Sequence, residues 1–284
     1  MPQLIRSIRW RWPLLALFMV AVFGGCATFE EQQRKWIFMP STAQPWLRGN
    51  VDGMDDVWIE HRSANSGKPV KLHALWLAND DAKAPLLLYL HGARRNVESC
   101  ASRIRQMRDL GFSVLAVDYR GFGQSSDELP SESAVYEDAR AAWAWLTQQH
   151  PGASRYIFGH SLGGAIAVQL ASEVNDARGL IVEGTFTSIP DVFHSFAWGW
   201  LPVTGLITQR FDSASKIERV KVPVLVVHGS SDSLIRPELG RALYERASAP
   251  KKFVLVEGGT HYNTNGRGRS QYREALHELF GPGL

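Results

Sequence analysis

One heptapeptide, Phe-Gly-His-Ser-Leu-Gly-Gly at residues 158–164, constrains the fold of this chain more than any other stretch. The residues just before it predict the end of a short apolar strand, and residues 165–171 predict a helix. A strand, the pattern Gly-x-Ser-x-Gly and a helix together indicate a nucleophile elbow, in which the serine lies at the tip of a sharp, strained turn. Gly159 and Gly163 are needed because a Cβ at either position would collide with the neighbouring strand or helix. The alternative is a glycine-rich turn that only joins a strand to a helix.

Short apolar runs alternate with helix-length segments from residue 85 onward. The apolar runs are residues 86–90, 114–117, 156–158, 180–182, 224–227 and 253–256. Helix-length segments lie at residues 97–110, 131–150, 162–174, 236–247 and 268–280. Continuous apolar strands are typical of a parallel sheet that helices cover on both faces. The alternation predicts an α/β fold with a mostly parallel, doubly wound sheet, entered by two antiparallel strands at residues 57–61 and 72–77.

A serine, an aspartate and a histidine each follow a different predicted strand. Ser161 follows the first of these strands, Asp232 follows the second and His261 follows the third. Ligands of open α/β sheets meet the carboxyl ends of the strands, so the three loops are expected at one edge. A serine hydroxyl is a poor nucleophile without a base within hydrogen-bond reach. We therefore expect Ser161 to be the nucleophile, His261 its general base and Asp232 the acid that orients the histidine.

Two other acids are alternatives to Asp232. Asp212 and Glu183 also flank predicted strand ends. Asp232 is favoured because Asp212 precedes Ser-Ala-Ser, a pattern typical of a helix N-cap. Asp118 precedes a glycine-rich turn, and we expect its carboxylate to hold that turn. Hydrogen bonds between loops are the expected role of His91, His160 and His228.

The chain from about residue 70 to 280 resembles an α/β-hydrolase. The matching stretches are residues 90–92, 117–123, the Ser161 elbow, 183–188, 211–213, His228-Gly229 with Asp232, and 258–261. The order serine, acid, histidine is also the order of that superfamily. The chain is most similar to its membrane-associated serine esterases, acyl-thioesterases and aminopeptidase-like hydrolases. The resemblance implies an acyl-enzyme, an oxyanion hole made by the backbone N–H groups of Leu162 and Ala93, and no cofactor or metal.

The first 26 residues predict a secretory signal of the lipoprotein type. Arginines at positions 6, 9 and 11 precede an apolar run at residues 13–23, which Gly24, Gly25 and Cys26 follow. The run is too short to span a bilayer comfortably, and small residues before a cysteine resemble a bacterial lipoprotein signal, although Phe23 replaces the usual leucine. The resemblance implies removal of residues 1–25, acylation of Cys26 and, because residue 27 is not aspartate, the outer membrane facing the periplasm. The alternatives are an uncleaved anchor, or a plain signal peptide that makes the protein secreted or periplasmic.

The rest of the chain divides into a tether and one domain. Residues 26–56 are irregular and predict a tether with an N-terminal wrap, and residues 57–284 predict the hydrolase domain. Residues 189–211 lie where hydrolases of this fold insert a small lid, and their aromatic side chains would cover an acyl chain. We expect Phe193 and Trp198 to contact the substrate. In the alternative, these aromatic residues pack on the sheet as an ordinary helix.

Two arginines depart from the resembling families, which often have small or amide residues after His-Gly. Arg94 and Arg95 stand at those positions. Either both face water at the start of the predicted helix, or one of them meets an anionic substrate group at the mouth of the pocket. The second alternative rests on the good pairing of arginine with carboxylate and phosphate.

Net charge and cysteine content limit the classes of function that the chain can have. The net charge is +3 without a long basic block, so nucleic-acid binding has no support. The two cysteines, Cys26 and Cys100, lack metal-ligand spacing, and Cys100 is expected to pack rather than react. We predict a serine hydrolase that cleaves a small-molecule or lipid acyl ester or thioester and meets the membrane through the anchor at Cys26. A peptidase and a catalytically silent envelope-binding lipoprotein are the alternatives, and no oligomeric state follows from the sequence.

Overall fold

Eight strands form one sheet in the computed structural model, which describes residues 28–41, 51–196, 199–202 and 204–281. The strands are β1 (Asp55–Arg62), β2 (Pro69–Leu77), β3 (Leu86–Leu90), β4 (Ser113–Val117), β5 (Arg155–His160), β6 (Gly179–Glu183), β7 (Val224–Gly229) and β8 (Lys251–Val256). Their order across the sheet is β1-β2-β4-β3-β5-β6-β7-β8. β2 pairs antiparallel with β1 and β4, and all later neighbours are parallel. The predicted α/β fold class is confirmed.

Helices connect the strands and cover the sheet. Helix α1 covers residues 28–38, and the later helices are α2 (Ala101–Asp109), α3 (Glu132–Gln149), α4 (Leu162–Ala171), α5 (Ile189–His194), α6 (Ser213–Ile217), α7 (Pro237–Arg246), α8 (Thr264–Arg267) and α9 (Arg269–Phe280). Short 3₁₀ helices lie at Glu98–Cys100 and Thr204–Leu206. All five helices predicted between the strands are present, with ends close to the predicted ones.

Buried apolar side chains pack on both faces of the sheet. Leu115 and Val117 of β4 belong to one core, whereas Val114 and Ala116 belong to the other. Residues of α3 and α4 complete the first core, and residues of α2 and α9 complete the second. Because both faces are covered there, all residues of the central strands β3 to β7 are buried, and these strands lack the alternation of exposed and buried positions that β1 shows.

The carboxyl ends of the parallel strands lie along one edge of the sheet. Leu90 at the end of β3 pairs with Gly159 of β5, and His160 of β5 pairs with Glu183 of β6. β7 lies between β6 and β8. The loops that follow β3, β5, β7 and β8 therefore open on the same side of the molecule.

The N-terminal segment, predicted to be irregular, contains helix α1. Gln33 of α1 donates through Nε2 to the Leu206 carbonyl oxygen at 2.9 Å and accepts through Oε1 from the Thr208 N–H at 3.0 Å. Residues 30–35 are helix formers, and Lys35 pairs with Glu31 one turn earlier. The prediction of an irregular segment was wrong for residues 28–38, because the prolines and glycines of the segment all lie after this run of helix formers.

The predicted signal peptide, residues 1–25, and the predicted lipidation site, Cys26, lie outside the described residues. The same is true of residues 42–50 in the predicted tether. Among the residues that the structure describes, none of the helices combines the length and the hydrophobicity needed to cross a bilayer.

Candidate active site

Ser161 lies at the tip of the turn between β5 and α4. Its φ of 56° and ψ of −122° lie outside the regions that non-glycine residues normally adopt, so the backbone is strained. The Ser161 N–H donates to the Glu183 carbonyl oxygen at 2.9 Å, which ties the turn to β6. A Cβ at Gly163 would lie 2.1 Å from the Leu90 carbonyl oxygen, and one at Gly159 would lie 2.2 Å from the Gly163 carbonyl oxygen. The two glycines permit the close approach that the elbow needs.

His261 and Asp232 meet through a hydrogen bond between the loops after β8 and β7. His261 Nδ1 lies 2.8 Å from Asp232 Oδ2. The other carboxylate oxygen, Oδ1, accepts from the backbone N–H groups of Leu234 and Ile235 at 3.0 and 2.9 Å. Both side chains are buried, so water does not compete for these bonds.

The charge of Asp232 determines the tautomer of His261. Burial raises the pKa of the Asp232 carboxyl, but hydrogen bonds from the His228 and His261 rings outweigh burial and hold the pKa below its usual value. The carboxylate is therefore ionised at neutral pH, and an ionised carboxylate only accepts hydrogen bonds. In a neutral ring, His261 Nδ1 must carry the proton, which leaves Nε2 free to accept one.

His160 supports the backbone of the catalytic histidine candidate. His160 Nε2 lies 2.9 Å from the His261 carbonyl oxygen, and the two ring centroids are 4.8 Å apart. Burial lowers the pKa of His160 well below its usual value, and the charges of Arg103 and His261 lower it further. The neutral ring donates its Nε2–H to the carbonyl oxygen. The predicted role of His160, a hydrogen bond between loops, is confirmed.

Ala93 and Leu162, the predicted oxyanion-hole residues, line the same cavity as Ser161. Leu162 begins α4, so its N–H has no partner inside the helix. Within the described part of the chain, neither this N–H nor that of Ala93 donates a hydrogen bond. Gly92 brings the Ala93 loop close to Ser161, because a Cβ at Gly92 would lie 3.0 Å from Ser161 Cβ. Two unpaired N–H donors thus lie beside Ser161.

Asp118 holds the loop that carries Ala93. Asp118 Oδ1 accepts the Val97 N–H at 2.8 Å, and a Cβ at Gly123 would overlap Oδ2 at 1.8 Å. Burial raises the pKa of this carboxyl, but the nearby His73 and His91 rings and the Val97 N–H lower it overall. The role of Asp118 is structural, as predicted, but its carboxylate bonds the loop before α2. The turn after it is bound through the backbone carbonyl oxygen of Asp118, which accepts the Ser125 hydroxyl at 2.7 Å.

The two alternative acids have other partners. Asp212 is the N-cap of α6, where its Oδ1 accepts the Ser215 N–H at 3.1 Å. Glu183 is buried and forms an ion pair with Arg103, with 3.0 Å between Oε1 and Nη2, and its Oε2 accepts a hydrogen bond from the Tyr272 hydroxyl. The acid that contacts His261 is therefore Asp232.

A large cavity of about 950 Å³ opens in front of Ser161 and His261. Its wall is mainly apolar and comes from α1, α5 and the loops at the edge of the sheet. The bulky apolar residues of the wall include Phe29, Trp36, Phe193, Phe196, Leu206 and Ile207. Described residues of the segment 189–211 therefore border the cavity that opens in front of Ser161. Phe193 is in the wall, whereas Trp198 lies outside the described residues.

Sequence reasoning missed the contribution of α1 to this cavity. Phe29, Gln33, Trp36 and Ile37 of α1 line it. These residues are spaced i, i+4, i+7 and i+8, which is the spacing of one face of an amphipathic helix. That periodicity was the signal in the sequence that could have found the helix and its inward face.

The two arginines after Gly92 both line the cavity but differ in exposure. Arg94 is exposed, has a φ of 66° and donates its backbone N–H to the Phe38 carbonyl oxygen at 3.0 Å. Arg95 is half-buried, its Nη1 donates to the Ser99 carbonyl oxygen at 3.3 Å, and its guanidinium lies 5.4 Å from the centroid of the Tyr262 ring. Arg95 is thus the arginine that packs into the mouth.

Cys100 and the titratable residues give no metal site in the described part of the chain. Cys100 is a buried free thiol, and burial raises its pKa, which disfavours the reactive thiolate. Within the described ranges, no group of three or more His, Cys, Asp or Glu side chains is placed to hold a metal ion.

Several known proteins are similar to this chain. The family model described as serine aminopeptidase, S33, matches residues 81–218, which include Ser161 and end before Asp232 and His261. The esterase Pf2001 of Pyrococcus furiosus has the same fold, with a TM-score of 0.67, 20% identity and coverage of 85% of this chain and 99% of that chain. An uncharacterized protein of Mycobacterium tuberculosis is 32% identical over 266 residues, which cover 88% of this chain and 87% of that protein. The chain belongs to the α/β-hydrolase superfamily.

This α/β-hydrolase also has a named relative, the lysophosphatidylserine lipase ABHD12 of Danio rerio. The two are 32% identical over 186 residues, which cover 59% of this chain and 48% of the relative. The chain therefore matches about half the length of that lipase. Est1E of Butyrivibrio proteoclasticus, solved with ferulic acid, has a TM-score of 0.63 and 21% identity, covering 78% of this chain and 96% of that chain. The matches confirm the predicted superfamily and the predicted hydrolase.

Proposed function

We propose that this α/β-hydrolase cleaves acyl esters of lipid-like substrates through an acyl-enzyme on Ser161. The proposal is carried by one observation: the strained Ser161 and the hydrogen-bonded His261–Asp232 pair border a single apolar cavity of about 950 Å³. A cavity of this kind buries an acyl chain and excludes water from the reacting carbonyl. The name of the relative from Danio rerio supports an ester bond in a lipid as the substrate.

Acylation begins when Ser161 Oγ attacks the ester carbonyl carbon while His261 Nε2 takes the hydroxyl proton. The N–H groups of Leu162 and Ala93 stabilise the negative charge that develops on the carbonyl oxygen. Asp232 stabilises the imidazolium through the hydrogen bond to Nδ1. His261 then gives its proton to the leaving oxygen, the ester C–O bond breaks and the alcohol departs. The acyl group remains as an ester of Ser161.

Deacylation repeats these steps with water as the nucleophile. A water molecule gives a proton to His261 Nε2 while its oxygen attacks the acyl carbonyl, and the same N–H donors stabilise the oxyanion. The bond to Ser161 Oγ breaks, Oγ regains the proton from His261 and the carboxylic acid leaves. The cycle consumes one ester and one water and produces one acid and one alcohol.

An aminopeptidase is the second candidate, and the description of the matching family model favours it. An aminopeptidase must bind the ammonium group of a peptide N-terminus, and a carboxylate is the usual partner for that charge. Among the described residues that line the cavity, none is aspartate or glutamate. Arg94 and Arg95 at the mouth repel an ammonium group, so the electrostatics favour a neutral or anionic ester.

We expect the purified full-length protein in non-ionic detergent to cleave p-nitrophenyl esters with kcat/KM rising with acyl length. Each buried CH₂ contributes about 0.8 kcal/mol, which is roughly fourfold in kcat/KM. Phe193→Ala should lower kcat/KM for long esters and leave the acetate ester nearly unchanged, because Phe193 belongs to the apolar wall that a long acyl chain would contact. Acyl-thioesters and aminoacyl anilides of matched size are the comparison substrates. Cleavage of the anilides alone would contradict the esterase proposal and favour an aminopeptidase.

Exposed apolar side chains around the opening of the cavity support a location at a membrane surface. Phe29, Trp36, Phe196 and Leu206 line the cavity and are also 44%, 68%, 45% and 60% exposed. Exposed apolar patches of this kind mark contact with lipid or with another protein. The described part of α1 starts at residue 28, two positions after Cys26. A lipid on Cys26 therefore brings the mouth to the bilayer, and we include in the proposal an anchor at Cys26 in the outer membrane, facing the periplasm.

Replacing Cys26 with serine is expected to abolish lipid attachment and to release the protein from the membrane fraction, because a thioether cannot form on serine. Metabolic labelling with an alkyne analogue of palmitate, followed by fractionation, measures both effects. Cys100→Ser is the matched control, since it removes the buried thiol and should leave labelling unchanged. Unlabelled wild-type protein, or a Cys26→Ser protein that remains in the membrane, would contradict the anchor.

A further inference from the structure

A second, polar cavity of about 330 Å³ lies beside the apolar one. The two share three residues, Arg95, Ser99 and Tyr262, which form the boundary between them. The second cavity, here called the polar cleft, is also lined by Arg103, Gln106, Asn263, Asn265 and Arg267. Tyr262 directly follows His261 in the sequence, so the polar cleft begins next to the residue that gives a proton to the leaving group.

The polar cleft carries positive charge that no carboxylate neutralises. Within the described part of the chain, no aspartate or glutamate lines it. Arg103 is neutralised by the buried Glu183, but Arg95 and Arg267 form no ion pair with any described carboxylate. Arg267 donates through Nε to a backbone carbonyl oxygen at 2.8 Å, as Arg95 does through Nη1 at 3.3 Å. Their remaining N–H groups and both charges are available to an anion.

Three lining residues of the polar cleft also contain buried polar atoms without a partner. These atoms are Arg103 Nε, Asn265 Nδ2 and Gln106 Oε1, and none of them has a hydrogen bond to a described residue. Buried polar groups in folded proteins almost always have partners, which are often water or a ligand. Two of the three atoms are N–H donors, and they add to the donors of the two unpaired arginines. The cleft thus collects cations and unused N–H groups in one place.

We infer that the polar cleft binds the anionic group, phosphate or carboxylate, of the alcohol part of the ester. This inference rests on the proposed function and names its substrate class: a single-chain acyl ester with a negatively charged head group. When the scissile carbonyl lies at Ser161, the acyl chain fills the apolar cavity. The alcohol lies on the side of His261, which protonates it, and the boundary residues Arg95 and Tyr262 lead from there into the polar cleft. Bidentate arginine contacts are well suited to phosphate and carboxylate.

The test compares anionic and neutral esters with the same acyl chain on the full-length protein. The first pair is 1-oleoylglycerol 3-phosphate and 1-oleoylglycerol; the second is O-oleoyl lactate and its methyl ester. The double variant Arg95→Gln/Arg267→Gln should raise KM for the anionic member by roughly 10–100-fold, the usual size of lost charged hydrogen bonds. Because Arg95 also lines the apolar cavity, the neutral member reports any loss near Ser161, and the effect on the cleft is the KM change of the anionic member divided by that of the neutral one.

Two single variants test whether the rise in KM comes from damage near Ser161 or from a general loss of positive charge. Arg267→Gln alone changes an exposed side chain that does not line the apolar cavity, so a selective rise in KM for an anionic ester cannot come from damage near Ser161. Arg273→Gln removes an equally exposed cation from α9, outside the cleft, and should change neither ester. A selective effect in either pair supports the inference and identifies the anion. Equal changes for anionic and neutral esters in both pairs would overturn it.

The same experiment separates this inference from the proposed function. If the wild-type protein cleaves neither member of either pair, nor any chromogenic ester, the proposed function fails. If the wild-type protein cleaves the anionic and neutral members equally well, the proposed ester hydrolysis is supported and the proposed head-group site is contradicted. The alternative occupant of the polar cleft is free inorganic phosphate, not the head group of a substrate. A change in neutral-ester rate caused by millimolar inorganic phosphate in wild type, and lost in Arg267→Gln, would count against a head-group site.

Discussion

Ser161→Ala is expected to lower kcat by on the order of 10⁴–10⁶ without unfolding the protein. The variant loses the oxygen that forms the acyl-enzyme, and no other hydroxyl replaces it at the tip of the elbow. The Leu162 and Ala93 N–H groups and the cavity remain, which leaves the small residual rate typical of such sites. Alanine meets the same backbone restriction as serine at a φ of 56°, so the strain in the folded state changes little.

Steady-state hydrolysis of a long-chain p-nitrophenyl ester measures this loss, and thermal unfolding of both proteins checks the fold. A fluorophosphonate probe provides a second readout, because it should label wild type on Ser161 and leave Ser161→Ala unlabelled. Ser131→Ala is the matched control: Ser131 caps α3 by accepting the Ala134 N–H at 3.2 Å. Its removal should cost about 1 kcal/mol of stability and leave kcat unchanged. A Ser161→Ala protein that keeps a hundredth or more of the wild-type kcat would exclude Ser161 as the nucleophile.

The fold was predictable because its strands are buried on both faces. Runs such as Leu86–Leu90 contain only residues that suit a covered strand, and all five of its side chains are buried. The antiparallel start was also predictable, since β1 alternates between exposed and covered positions, as a strand at the edge of a sheet does. Periodicity and burial agree in these elements, so the sequence signal is strong.

The parts of the site that lie directly after strands were predictable, and the parts brought by distant packing were not. Ser161 and Asp232 stand in loops whose position follows from the parallel order of the sheet. Helix α1 reaches the cavity only through tertiary contacts, such as the pair of hydrogen bonds between Gln33 and the backbone of residues 206 and 208. The polar cleft likewise joins residues of α2 with residues after β8. These residues are far apart in the sequence, so no local sequence pattern predicts that they line one cavity.

Asp232→Asn is expected to lower kcat by roughly 10³–10⁴ with a small change in KM. The backbone N–H groups of Leu234 and Ile235 both donate to Oδ1, so they would hold the amide oxygen of an asparagine in that place. The amide NH₂ would then point to His261 Nδ1, which must accept a hydrogen bond instead of donating one. The ring would take the tautomer with a proton on Nε2, and Nε2 would no longer accept the proton of Ser161. The loss therefore comes from a wrong tautomer in an intact site.

Steady-state kinetics on the same ester measures this loss, and Asp212→Asn is the control. Asp212 has a carboxylate that caps α6, so its replacement removes a charge without reaching His261. The proposal that Asp232 orients His261 fails if Asp212→Asn lowers kcat as much as Asp232→Asn does. Wild-type-like kcat in Asp232→Asn would contradict it equally.

The pH dependence of stability tests the charge of Asp232 independently of catalysis. Its pKa is lowered in the folded protein, so the ionised carboxylate contributes stability that is fully present above the unfolded pKa of about 3.9 and is lost as the pH falls through the lower folded pKa. Asparagine has no such titration. The free energy of unfolding of wild type minus that of Asp232→Asn, measured by urea denaturation between about pH 5 and pH 3, should therefore fall below about pH 4. A difference that rises on acidification would mean that Asp232 is protonated in the folded protein, which would remove the basis for the proton on His261 Nδ1.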